Sequence, residues 1–108
     1  MSLQLPKPIA DYFAAEESSD TDVLALCFLD DAVVLDEGRS IRGLDAIKAW
    51  KRETRAKYQY SVQALGVSQD SDSVKVPVRL TGNFPGSPRD VEYTFNLNNG
   101  KIASLEIQ

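Results

Sequence analysis

The chain contains no histidine and a single cysteine, Cys27. Without histidine there is no imidazole to serve a Ser-His or Cys-His nucleophile pair, to bind a metal, or to change charge near neutral pH. One thiol builds neither a disulfide framework nor a zinc knuckle. The longest apolar run, Val23–Leu29, covers seven residues, far short of the roughly 20 that a membrane-crossing helix needs. Basic side chains are outnumbered, 12 against 16, for a net charge of −4. Nucleic-acid binding relies on clustered Lys and Arg, so no nucleic-acid partner is expected. No charged and then apolar leader opens the chain, which predicts no signal peptide and a cytoplasmic protein.

What is present suffices for one domain. At 108 residues and 43% apolar content, a single core is expected. Pro6 and Pro8 precede Ile9, Tyr12 and Phe13, which recur at i, i+3 and i+4, so a helix is predicted from about Lys7 or Pro8 to Glu17. Ser19 or Asp20 has the chemistry to cap a second helix, about Thr21 to Phe28. Apolar almost all round, that helix is expected to be buried. Asp30-Asp31 breaks it, and Ala32–Asp36 reads as a short strand. Glu37-Gly38 turns the chain into a partner, Arg39–Ile41. Gly43 releases a third helix, about Leu44 to Lys57, with Leu44, Ile47 and Trp50 as its apolar stripe.

The period then changes from helical to alternating. Tyr58, Tyr60 and Val62 run in one phase, and Leu65 and Val67 in the other, which predicts a bulge near Ala64. Val74, Val76, Val78 and Leu80 alternate cleanly around Pro77, a residue that belongs at an edge or bulge because it donates no ladder bond. Val91, Tyr93, Phe95 and Leu97 follow, then the turn Asn98-Asn99-Gly100, then a last strand from Ile102 to Ile107. Helices followed by a strand meander argue α+β.

Asp36 is the first chemical candidate. On its strand it shares a face with Ala32 and Val34, and a carboxylate among apolar neighbours is expected to hold its proton more tightly than usual. That suits a base removing a proton beside a carbonyl. The alternative is a solvated Asp36-Glu37-Gly38 turn. Tyr12 is the second candidate, as a phenol able to stabilise enolate charge or as an ordinary core residue. Trp50 and Tyr58 read as pocket or core wall, with Phe13, Val34 and Tyr93 beside them.

The order of elements and several residues resemble the nuclear transport factor two-like superfamily, in its SnoaL-like and ketosteroid-isomerase-like branch. The matching pieces are Tyr12-Phe13-Ala14-Ala15, Asp20-Thr21-Asp22, Leu26, Asp30-Asp31-Ala32-Val33, Asp36, Arg42-Gly43 with Ile47 and Trp50, and Asn99-Gly100-Lys101-Ile102. The resemblance implies a curved antiparallel sheet wrapped around three helices into a cone, the cystatin-like α+β barrel, in the order α-α-β-β-α-β-β-β-β. It implies a pocket at the open end, shallow because the chain is short for the family, and a homodimer through the sheet. It also implies roles: Asp36 falls where the isomerases keep their proton-shuttling aspartate, and Tyr12 where they keep an oxyanion-donating tyrosine. Their second acid lands on Glu92 or Tyr93. Tyr93 shares its face with Val91 and Phe95 and is the expected inward residue.

Departures narrow the choice. SnoaL-type cyclases and related dehydratases pair an Asp with a His, absent here. The superfamily's epoxide hydrolases hold an Arg between two Asp residues, but Arg79 has Pro77 and Thr81 at the two-residue spacing, and the adjacent Arg89 and Asp90 point to opposite faces. Asp20, Asp22, Asp30 and Asp31 lack EF-hand spacing, so capping explains them and no metal or other cofactor is expected. The basic run Lys48, Lys51, Arg52, Arg55 and Lys57 reads as a solvated helix face, and Cys27 as an inert small hydrophobe. Two functions remain: acid-base chemistry on an apolar carbonyl compound with Asp36 as base and Tyr12 and Tyr93 as donors, or a non-catalytic dimeric domain that binds a ligand or a protein.

Overall fold

The structure, a computed structural model, describes residues 4–16, 21–36, 38–57 and 59–108. Helix α1, Lys7–Glu16, starts where the Pro6 carbonyl accepts from the Ile9 and Ala10 amides at 3.0 and 2.9 Å. A 3₁₀ turn, Thr21–Val23, leads into a single helical turn α2, Leu24–Cys27. Strands β1, Phe28–Asp36, and β2, Arg39–Arg42, form a hairpin at whose turn Gly38 takes φ +76°, a region that suits a residue without Cβ. Helix α3, Leu44–Lys57, follows Gly43, whose amide donates to Ala32 at 2.8 Å. Strands β3 (Tyr60–Ala64), β4 (Ser68–Asp70), β5 (Ser73–Gly82), β6 (Arg89–Asn98) and β7 (Lys101–Ile107) complete the chain.

The strands form one sheet in the order β2-β1-β7-β6-β5-β3, with β4 also on β5. It is curved and unclosed. Every pairing is antiparallel except β1 with β7, which run parallel, so the sheet is mixed rather than antiparallel throughout. The alternation expected of β5 and β6 is present: Val74, Val76, Val78, Tyr93 and Phe95 are buried. They meet Ile9, Tyr12, Phe28, Ile47 and Leu105 in one core, and Tyr12, Phe13, Phe28, Tyr93 and Phe95 pack ring to ring at 5.6–6.4 Å.

Three sequence expectations need adjustment. The second helix ends at Cys27, because Phe28 is already extended and pairs with Ile102 on β7. Asp30 and Asp31 therefore lie exposed on β1, where the register shifts between Phe28 and Val33, and Leu26 is largely exposed rather than buried. The bulge near Ala64 is a break long enough to make two strands. Pro77 faces that break: its carbonyl accepts from the Leu65 amide at 2.8 Å, so its missing N–H leaves no ladder bond unmade. Ser19, Asp20 and Glu37, read as cap and turn, lie outside the described residues. Cys27 is buried, and burial pushes its thiol up to about 11, which keeps it protonated and inert at neutral pH.

Gly82 sits opposite Tyr60 in the β3–β5 pairing, and a Cβ there would collide with the Gln59 carbonyl and the Tyr60 backbone. Gly82→Ala is expected to destabilise the fold by about 1–3 kcal/mol through overpacking, read as a lower midpoint in urea. A midpoint equal to wild type would mean that this strand approach is looser than described.

Candidate functional site

The sheet and α3 enclose a cavity of about 320 Å³ whose wall includes Asp36, Trp50, Lys51, Tyr60 and Tyr93, with Leu80, Phe84, Pro85, Arg89 and Ile107. Its size is toward the lower end of ligand pockets. Asp36 ends β1 and pairs with Ile107 on β7, which pairs in turn with Tyr93 on β6. Register partners point to the same face, so the three side chains form one row across the sheet, with the Asp36 and Tyr93 backbones about 10 Å apart. From above, the indole Nε1 of Trp50 donates to Asp36 Oδ2 at 3.2 Å. This bond selects one orientation of a half-buried carboxylate on the cavity wall.

Tyr93 lines the same cavity, 3% exposed, and its hydroxyl has no hydrogen-bond partner among the described residues. Burial is the main cause that holds its phenol protonated well above the ordinary range, with Glu16, Tyr60 and Asp36 adding to it. It is therefore a protonated donor on the cavity wall. Glu92, the other residue at the second-acid position, is exposed.

Behind Tyr93 and Trp50 lies a feature that sequence reasoning missed. Lys51, read as part of a solvated face, is buried: the basic run is solvated only in part. The side chains of Lys51 and Glu16 are 6% and 1% exposed and form an ion pair. Lys51 Nζ also donates to the Tyr12 hydroxyl at 3.0 Å and to the Tyr60 hydroxyl at 3.5 Å, and Tyr60 donates to Glu16 Oε2 at 3.2 Å. The ammonium lies over the Trp50 and Tyr12 rings, 4.5 and 5.1 Å from their centroids. Burial lowers the Lys51 pKa from its ordinary value, although Glu16 opposes the shift. The signal was in the helical spacing. Ile9, Tyr12, Phe13 and Glu16 stand at i, i+3, i+4 and i+7, as do Leu44, Ile47, Lys48 and Lys51, so Glu16 and Lys51 fall on the inward stripes of their helices as opposite charges, with Lys48 at the half-buried edge of its stripe.

The other sequence candidates divide plainly. Trp50 and Tyr93 join Asp36 on the cavity. Tyr12 is fully buried among aromatic rings, its hydroxyl accepting from Lys51, and it stands behind the wall rather than on it. Burial and Glu16 hold its phenol protonated well above the ordinary range. Val34 is core, paired with Leu105, and half-buried Phe13 stacks on Tyr93 at 5.8 Å; neither lines the cavity. Tyr58 lies outside the described residues. The loop after β5 places Phe84 and Pro85 on the cavity. Among the described residues, no group of three His, Cys, Asp or Glu is arranged to hold a metal ion, and no helix is long and apolar enough to cross a membrane.

Comparison with known proteins follows the same lines. The family model of the SnoaL-like domain matches residues 9–105. A Sinorhizobium meliloti protein provisionally assigned as a polyketide cyclase is 39% identical over 96% of this chain and 95% of its own, with a TM-score of 0.93. A Catenulispora acidiphila protein with a ketosteroid isomerase-like fold, solved in complex with trimethylamine, is 20% identical over 97% and 86% of the two chains (TM-score 0.85). A nuclear transport factor two-like protein of Cytophaga hutchinsonii is 10% identical over 100% and 91% (TM-score 0.80). No protein with a curated description matches.

Two outcomes follow from the buried charges. Glu16→Gln leaves the Lys51 charge uncompensated and is expected to cost about 3–5 kcal/mol in denaturant unfolding; a loss under about 1 kcal/mol would mean that water reaches the pair. Among the described residues the alkaline response is led by three phenols, Tyr12, Tyr60 and Tyr93, all raised above 10.0 mainly by burial, with the Cys27 thiol, raised from 9.0 to about 11, acting in the same direction from about pH 9. The folded protein keeps these protons where the unfolded chain loses them. The phenols' contribution is therefore complete below about pH 10 and falls above it by about 1.4 kcal/mol per phenol per pH unit. Lys51, lowered instead, acts with the opposite sign as pH rises toward 10.5, and one amine does not offset three phenols. Melting temperature is expected to drop steeply between pH 10 and 11, and less steeply in Tyr93→Phe.

Proposed function

The chain belongs to the SnoaL-like family, and from that premise we propose that its cavity performs acid-base chemistry on an apolar carbonyl compound, with Asp36 as the base. The observation that carries this reading is the row Asp36–Ile107–Tyr93 with Trp50 above it: an oriented carboxylate and a buried, protonated phenol on one wall of a cavity that also has an apolar side formed by Leu80, Phe84, Pro85 and Ile107. A substrate lying on Ile107 would present its α-carbon to Asp36 and its carbonyl oxygen to the Tyr93 hydroxyl. Asp36 would take the α-proton, and charge developing on oxygen would meet a donor already in place, which is where such a donor contributes most. Tyr12 would act one step back, holding Lys51 against the wall.

The provisional cyclase assignment of the Sinorhizobium relative supports the same substrate class, because closing a ring on a polyketide begins with loss of a proton beside a carbonyl. The absence of histidine sets this chain apart from an Asp-His arrangement and leaves proton transfer to Asp36, the carboxylate on the cavity wall among the described residues. The homodimer expected through the sheet would use the polar outer face of β5 and β6, where Arg79 holds Asp90 with two hydrogen bonds of 2.9 and 3.2 Å.

Deuterium uptake tests the reading without knowledge of the natural substrate. With a panel of cyclic ketones and enones in D₂O, the wild type is expected to accelerate exchange of α-protons, and Asp36→Asn to lose about 10²–10⁴-fold of that rate. Equal rates in the two proteins would remove Asp36 from the role of base. Binding without exchange across the panel would favour a non-catalytic ligand-binding domain.

A further inference from the structure

The proposed proton transfer makes no chemical use of one group on the cavity, the amine of Lys51. It is a side chain of α3 that lies on the cavity wall yet is almost wholly out of water, pressed between the Trp50 and Tyr12 rings, with Glu16 in contact and two phenols within 3.5 Å. A buried ion pair costs more in desolvation than a well-packed apolar pair, and such pairs are weak devices for stability. A lysine in an apolar pocket is, however, a nucleophile for carbonyl carbon once it sheds its proton.

We infer that Lys51 captures aldehydes and ketones covalently as an imine, making the cavity a carbonyl-binding site in which Glu16 handles the protons. The ammonium passes one proton to the Glu16 carboxylate, which leaves a neutral amine beside a neutral acid and no net change of buried charge. The nitrogen lone pair then forms a C–N bond to the carbonyl carbon. The π pair goes to oxygen, which takes a proton from the nitrogen to give a neutral carbinolamine. Glu16 returns its proton to the hydroxyl, the C–O bond breaks, water leaves, and the nitrogen lone pair closes a protonated C=N bond. The sum is ammonium plus carbonyl compound giving iminium plus water. Glu16 is again a carboxylate, so the iminium keeps the ion pair that the ammonium had. Neither oxidant nor reductant is needed.

This inference goes beyond the proposed base chemistry and does not depend on it, since imine formation asks nothing of Asp36. An iminium would also acidify the proton that Asp36 is proposed to take, because its positive nitrogen accepts the electron pair. The remaining lysines of known placement offer a built-in control. Lys7, Lys57, Lys75 and Lys101 are at least partly open to water, and Lys7 and Lys48 pair with Asp11 and Asp22. A solvated lysine is almost fully protonated at pH 7.

The test uses the wild-type protein, benzaldehyde and cyanoborohydride at pH 7, with the trapped benzyl adducts located by peptide mass spectrometry over time. Lys51 is expected to be labelled about tenfold or more faster than Lys7, Lys75 and Lys101, and benzyl alcohol, which matches benzaldehyde in shape but forms no imine, is expected to compete for the cavity and slow that labelling selectively. Labelling of Lys51 no faster than the solvated lysines overturns the inference, as does labelling that benzyl alcohol leaves unchanged. Trapping of benzaldehyde with no α-proton exchange on the ketone panel would leave the imine standing and remove the base; exchange on the panel without trapping would do the reverse.

Discussion

The ion pair between Glu16 and Lys51 is the constraint around which the rest of this molecule is arranged. Two opposite charges, each on the inward stripe of its helix, are taken out of water together. Neither is tolerable alone in that position, so α1 and α3 dock in the one geometry that brings them into contact. Tyr12 from α1 and Tyr60 from β3 supply the remaining hydrogen bonds. Helices and sheet are thereby joined at a polar point that an apolar core would not specify so narrowly. The same point forms part of the wall of the open space above it.

The sheet supplies the complementary half of the site. The parallel pairing of β1 with β7 sets the C-terminal ends of two strands distant in sequence side by side, and antiparallel pairing of β7 with β6 adds Tyr93. The breaks in register at β1 and between Asn96 and Leu97 help bend the sheet, as bulges do. Curvature leaves room between the sheet and α3, and Trp50 spans that room to hold Asp36. A donor, a carboxylate and an apolar floor thus come from one strand row, and a buried amine from the helix facing it.

Much of this was legible in the sequence because the physics was local. Proline and periodicity marked α1, Gly43 and the Leu44–Ile47–Trp50 stripe marked α3, and strict alternation marked β5 and β6. The carboxylate at Asp36, the indole at Trp50 and the inward phenol at Tyr93 were readable for the same reason. Where the reading slipped, a long-range pairing had overridden a local preference. The segment Thr21–Phe28 reads as helix, yet Phe28 pairs with β7 and takes the chain into strand. The charged residues of α3 read as one solvated face, although helical spacing put Lys51 on the buried stripe. Its partner Glu16 lies on another helix, and nothing in either segment alone announces the pair. Tyr12 stood out as a phenol with a role to play, and its hydroxyl does have one, toward Lys51 rather than toward the cavity.

Trp50, the single tryptophan of the chain, gives direct access to the central claim that a ligand lies against Asp36. Its indole N–H gives one side-chain resonance of its kind, and that proton is bonded to the Asp36 carboxylate. In a titration with 2-naphthol, an apolar mimic of an enol, followed by ¹⁵N–¹H correlation spectra, this resonance is expected to shift and saturate, because the hydroxyl competes for the same carboxylate. A resonance that stays in place while backbone signals elsewhere move would put the ligand somewhere else, and the account of this cavity would be wrong.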